Sequence, residues 1–174
     1  MGNIESFTPE KLLIGVLTAD AEAPTEAERR LKAEYGPIDF RSRSIPFTWT
    51  DYYRPEMGAE ITRYFIAFEE LIDPARLADI KLFTNAVEEE LSIGGRRRIN
   101  LDPGLLSLGK LILASTKDNA QRIPLKNGVY AEVTLIYRHG AYRALPWTFR
   151  DYAGEEYGSL FSELRSQYKQ QLRH

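Results

Sequence analysis

The chain has 174 residues, 43% of them hydrophobic, with 23 Lys+Arg against 25 Asp+Glu and a formal net charge of -2; that length suits one compact domain burying roughly 70% of its unfolded surface, and that balance leaves no overall positive field to hold nucleic acid by counterion release. There is no cysteine, which excludes disulfides, thiolate zinc sites, iron–sulfur clusters and Cys nucleophiles. The only histidines are His139, in the turn His139-Gly140, and His174, the last residue; they leave a His-centred triad or a multi-histidine metal site almost nothing to work with, so any catalysis is expected to fall to carboxylates, Lys, Arg, Tyr or Ser.

No apolar run reaches the ~20 residues of a membrane helix, and the N-terminus lacks the basic-then-apolar pattern of a signal peptide, so a cytoplasmic protein without a membrane partner is expected. In chain order, Leu12 to Leu17 reads as a strand covered on both faces. Ala23-Pro24-Thr25 opens a helix in which Thr25 and Glu28 have capping-box spacing, and Gly36-Pro37 stops it. Strands are predicted over Ile38 to Thr48 and Glu60 to Glu69, separated by a turn-like Asp51 to Gly58. Asp73-Pro74 caps a second helix whose Leu77, Ile80, Val87 and Leu91 form one apolar stripe, ending at Gly94-Gly95.

Further strands are predicted at Arg97 to Leu101, Lys110 to Ser115, Val129 to Tyr137 and Ala141 to Leu145, with Asp102-Pro103-Gly104 as a turn and His139-Gly140 as a hairpin turn. Tyr157, Leu160, Phe161, Leu164, Tyr168 and Leu172 mark the buried face of a closing helix. The order strand, helix, strand, strand, helix, strand points to an α+β, ferredoxin-like split βαβ fold: a mostly antiparallel sheet with helices on one face, followed by a hairpin and a C-terminal helix, as a single domain over residues 1–174. Such a sheet leaves its other face open to a ligand, a protein partner, a second copy or RNA. Period-two alternation groups Asp39, Arg41 and Arg43, and likewise Arg96, Arg98 and Asn100; together on the open face they form a basic surface, and otherwise a solvated face with scattered salt bridges.

Gly104 to Lys110 reproduces the glycine and lysine spacing of a P-loop, but Leu111 stands where a Mg²⁺-holding hydroxyl belongs, and the residues that follow read as a strand rather than a phosphate-binding helix. Thr116-Lys117-Asp118 approaches a guanine-reading motif and misses by one position, with Asn119 where the aspartate belongs. What remains is a polar cluster, Lys110, Ser115, Lys117, Asp118 and Arg122, leaving a strand end, where folds place ligand groups. Lys and Arg bind phosphate or carboxylate, with Arg96 and Arg98 as support, and Asp118 or Glu132 is the candidate base if chemistry occurs. The plainer alternative is an Asx turn at Asp118-Asn119 flanked by solvated lysines, with Glu132 in a cross-strand ion pair. Aromatics at Phe47, Trp49, Tyr52, Tyr53, Trp147, Phe149 and Tyr152 either stack a ring or pin loops to the core, and Asp51 and Asp151 sit among them.

Taken together, Pro46-Phe47-Thr48, Tyr52-Tyr53, Glu56-Met57-Gly58, Asn100 to Gly104, Ala114 to Asp118, Tyr130 to Leu135 and Trp147-Thr148 resemble an uncharacterised prokaryotic family, domain of unknown function number 4416, over nearly the whole chain. The resemblance implies a single-domain soluble protein and supplies no catalytic residues. Some members carry a GTP-binding label, against which the departures at Leu111 and Asn119 stand. The function expected is binding of a small phosphorylated or nucleotide-like anion; the alternative is a non-catalytic interaction module.

Overall fold

The computed structural model describes residues 2–173; Met1 and His174 lie outside it. Nine strands, β1 (Glu10–Thr18), β2 (Ile38–Arg41), β3 (Ile45–Pro46), β4 (Thr62–Ile72), β5 (Ile99–Leu106), β6 (Lys110–Ser115), β7 (Ile123–Pro124), β8 (Tyr130–Arg138) and β9 (Ala141–Ala144), form one sheet. Its order is β2-β4-β1-β5-β6-β8-β7, with β3 beside β4, β9 beside β8, and every pairing antiparallel. The helices are α1 (Ala23–Tyr35), α2 (Arg54–Met57), α3 (Leu77–Glu90, after a 3-10 turn at Pro74–Arg76) and α4 (Glu155–Gln171). No helix among the described residues is long and apolar enough to cross a membrane.

Alternation along the central strands builds two cores. Leu12, Ile14, Val16, Ile66 and Leu101 pack with Ala27 and Leu31 of α1 and Ile80 and Val87 of α3. Their neighbours Leu13, Phe65, Ala67 and Leu113 pack instead with Tyr157, Phe161, Leu164 and Tyr168 of α4. The helices are therefore not confined to one side, and the face expected to be open is covered. The cause lies in β1, buried along its whole length: apolar side chains on both faces demand two covering layers, and the aromatic stripe of α4 supplies the second.

The arginines expected on a common basic surface are dispersed by the same packing. Arg41 reaches Glu28 of α1 and lies over the Tyr64 ring, Arg43 pairs with Glu156 of α4, and Asp39 holds the buried Lys11 at 2.5 Å. The predicted strand from Ile38 breaks after Arg41, because Ser42 turns inward and its Oγ accepts the Phe65 N–H. Thr25 lies inside α1 rather than at its cap; the Asp20 carboxylate accepts the N–H groups of Glu22 and Ala23 in its place, while Glu28 is buried against Tyr64 and Arg41. Asp73 accepts the Ala75 N–H ahead of α3, which ends at Glu90, short of Gly94-Gly95. Part of the turn-like 51–58 segment is the short helix α2.

The largest departure is Asp102-Pro103-Gly104, which lies within β5 instead of forming a turn. Leu101 sends its N–H away from β1, so by alternation the nitrogen of Pro103 faces the same side, where β6 is not yet paired and no ladder bond is lost. Gly104 begins the β5–β6 pairing, and a Cβ there would lie 2.5 Å from the Ile112 carbonyl oxygen. Gly104→Ala is expected to lower stability by about 1–3 kcal/mol through this overpacking; a urea melt that matches wild type would show that the strands can part without cost.

Candidate functional site

β5 is paired with β1 throughout and β6 with β8 throughout, yet β5 and β6 touch only over Gly104–Leu106 and Leu111–Leu113. Beyond Gly104 the sheet forks, and a cleft of about 400 Å³ opens there, within the size range of small-molecule sites. On the edge facing away from β1 the fork leaves Leu101 without a neighbouring strand, and α3 takes that part: Glu88 Oε1 accepts its N–H at 2.6 Å and Lys81 Nζ donates to its carbonyl at 3.0 Å. Burial pushes the Glu88 carboxyl up to about 7, against the pull of Lys81 and of the Leu101 N–H.

Arg63 of β4 occupies the floor, 3% exposed. Its Nη1 lies 3.0 Å from Asp102 Oδ2 and 3.3 Å from the Tyr152 hydroxyl, and its Nη2 lies 3.7 Å from Asp151 Oδ2. Phe47, Phe65 and Tyr152 surround the guanidinium at 5.3–5.9 Å. Burial opposes its charge, but Tyr152, Asp102 and Asp151 outweigh that and raise its pKa. Burial likewise works against the Asp102 carboxylate, which Arg63 and Lys81 nevertheless hold below the usual range; Asp151 is pushed up by burial. Gly15 makes room for this group, since a Cβ on it would stand 2.7 Å from Arg63 Nη1.

One wall is built from β8 and the β6–β7 loop. Arg122 donates to Glu132 Oε2 at 2.9 Å, to Ser115 Oγ at 2.9 Å and to the Lys117 carbonyl at 2.7 Å, and Gln121 adds a second donor to Glu132 Oε2 at 2.9 Å. Facing it, Arg97 joins Glu56 at 2.5 Å, the Asn100 side-chain oxygen at 3.1 Å and, more loosely, Glu88 at 3.9 Å. Trp49, Tyr52 and Phe149 are half exposed at the rim, and Lys117 Nζ lies 4.7 Å above the Tyr52 ring. Among the described residues, Lys117 and Arg150 are exposed lining cations with no carboxylate partner. The arrangement offers a buried, charge-balanced floor beneath an aromatic, cationic mouth.

Of the residues singled out from sequence, Ser115, Lys117, Arg122 and Glu132 come together in the cleft, and Phe47, Trp49, Tyr52, Tyr53, Phe149 and Tyr152 of the aromatic runs line it with Asp151. Lys110 sits at the far end of β6, where it acts on Glu10; Asp118 is exposed in the loop and not on the lining; Arg98 pairs with Asp20 at 2.7 Å; and Arg96 bridges Ile93 through its backbone. Trp147 is tied to the Val133 carbonyl away from the lining, and Asp51 pairs with Arg54. Arg63, Lys81 and Glu88 escaped the sequence reading. Each carried a signal: Arg63 interrupts an apolar strand, and Lys81 and Glu88 are seven residues apart beside the apolar stripe of α3, so their charges ride on a face that must be buried. No group of three or more His, Cys, Asp or Glu side chains that could hold a metal occurs among the described residues.

Residues 8–168 match the family described as Domain of unknown function (DUF4416), and the chain belongs to that family. Comparison with curated proteins and with solved structures gives no match.

Proposed function

We propose that this family member binds a small phosphorylated or nucleotide-like anion in the forked cleft, with the anion at Lys117 and Arg150 and a planar group against Trp49, Tyr52 and Phe149. The observation that carries this reading is charge accounting. Arg63, Arg97 and Arg122 are each neutralised by carboxylates, whereas Lys117 and Arg150 are not, and exposed rings flank them. The rival, an interaction module on an open sheet face, is disfavoured because α4 covers that face. We read β2-β4-β1-β5 with α1 and α3 as the ferredoxin-like unit, extended by β6–β9 and α4, and the whole as one domain because every strand joins one sheet.

A thermal-shift screen of nucleotides, phosphorylated metabolites and acidic metabolites tests the proposal. A ligand at ~100 times its Kd contributes about 2.7 kcal/mol, a rise of several degrees in Tm. The response is expected to vanish in Lys117→Ala combined with Arg150→Ala, while the ligand-free Tm stays near wild type because both side chains are exposed. A panel without any shift, or a shift untouched by both substitutions, sinks this assignment.

A further inference from the structure

Six buried side-chain polar atoms lack a hydrogen-bond partner among the described residues, and half of them, Arg63 Nε, Asn100 Nδ2 and Glu132 Oε1, belong to residues of this one cleft. Buried polar groups are normally paired, so three unpaired atoms in one cleft call for partners from outside the chain. Glu132 cannot relieve the deficit by turning. Its other oxygen is held by both Arg122 and Gln121, and Arg122 is itself fixed by Ser115 and the Lys117 carbonyl. Asn100 is equally constrained: Arg97 can only donate, so the amide oxygen must face it, and the NH₂ is turned toward the Asp102 carboxylate without completing a hydrogen bond. The interior thus presents one unmatched acceptor, on a carboxylate 2% exposed, together with unmatched donors.

We infer, resting on the anion-site reading above, that the ligand's phosphate stays at the exposed mouth with Lys117 and Arg150 while a hydrogen-bond donor carried on its planar ring docks on Glu132 Oε1. The ligand class is a ring phosphate bearing an amino or ring N–H group, as opposed to one whose ring offers acceptors alone. An acceptor-only ring would leave the carboxylate oxygen desolvated and unpaired, and sites built to bond a polar group reject the analogue that lacks it.

Calorimetric titration with adenosine 5′-monophosphate and with purine riboside 5′-monophosphate, which lacks the exocyclic amino group, tests this directly, with inorganic phosphate as a third probe. Wild type is expected to bind the amino compound at least about tenfold more tightly, the scale of one charge-assisted hydrogen bond. Glu132→Gln should erase or reverse that ratio: Arg122 and Gln121 will hold the new amide oxygen, and its NH₂ will replace an acceptor with a donor. Lys117→Ala should weaken both nucleotides alike and leave the ratio intact. Equal affinities in wild type overturn the donor assignment and leave the phosphate site standing, and that comparison needs no variant. A ratio preserved in Glu132→Gln also overturns it. If none of the three probes binds, the ring-phosphate assignment falls, while the anion-site reading is decided by the wider screen above.

Discussion

Replacing Arg63 by methionine is expected to destabilise the protein by about 3–5 kcal/mol, the usual cost of removing one partner from a buried ion pair. For a chain of this size that is a fall in Tm of roughly 8–15 °C. The side chain is 4% exposed and lies between Asp102 and Asp151; without it two carboxylates face each other around a desolvated space, and three aromatic rings lose the cation they surround. Because Arg63 holds the Asp102 pKa down, the pair's contribution is present above the unfolded pKa of Asp102 and is lost as pH falls through its folded value. The deficit of the variant should therefore be largest above about pH 5 and shrink in acid, as the stranded carboxyls take up protons. Arg63→Lys keeps the charge but not the planar fork and should fall between the two. Guanidinium melts across pH decide the matter: a pH-independent deficit would mean that Arg63 contributes packing only.

The second large effect is carried by Glu88. Its carboxyl is raised from 4.5 to about 7, chiefly by burial, so between those values the folded state binds more protons than the unfolded one. Stability on this account is fully present below about pH 4.5 and declines as pH rises through 7, by about 3 kcal/mol in total. Glu88→Gln should abolish the decline, since an amide oxygen can still accept the Leu101 N–H but carries no charge to desolvate. The stability difference between variant and wild type should be flat in acid, grow by about 3 kcal/mol between pH 4 and pH 8, and level off. A difference curve that stays flat would show that Lys81 and Arg97 fully offset the burial.

These two residues also show where reading the sequence reached its limit. The polar loop after β6 announced itself through Ser115, Lys117 and Arg122, because strand ends followed by turn residues are local patterns. Arg63 and Glu88 did not, because their significance depends on which strand lies opposite. A charged residue within an apolar pattern reads as an exception until its partners are known, and here the partners of Arg63 are 39 and 89 residues away. Glu88 looks like one more helical glutamate until β5 is seen to lack β6 beside it at Leu101.

Local periodicity alone determined that β1 is buried on both faces, that α3 and α4 bear apolar stripes, and that His139-Gly140 turns a hairpin, where both residues do adopt positive φ, 51° and 80°. Those properties need only a neighbour or two along the chain. Tertiary structure decided that Asp102-Pro103-Gly104 runs on as a strand, that α4 closes the second face, and that the sheet forks to form the cleft. Each of those is a choice of partner between distant segments. Pro103 is tolerated in β5 because its nitrogen faces the gap, and Gly104 admits β6 because it has no Cβ.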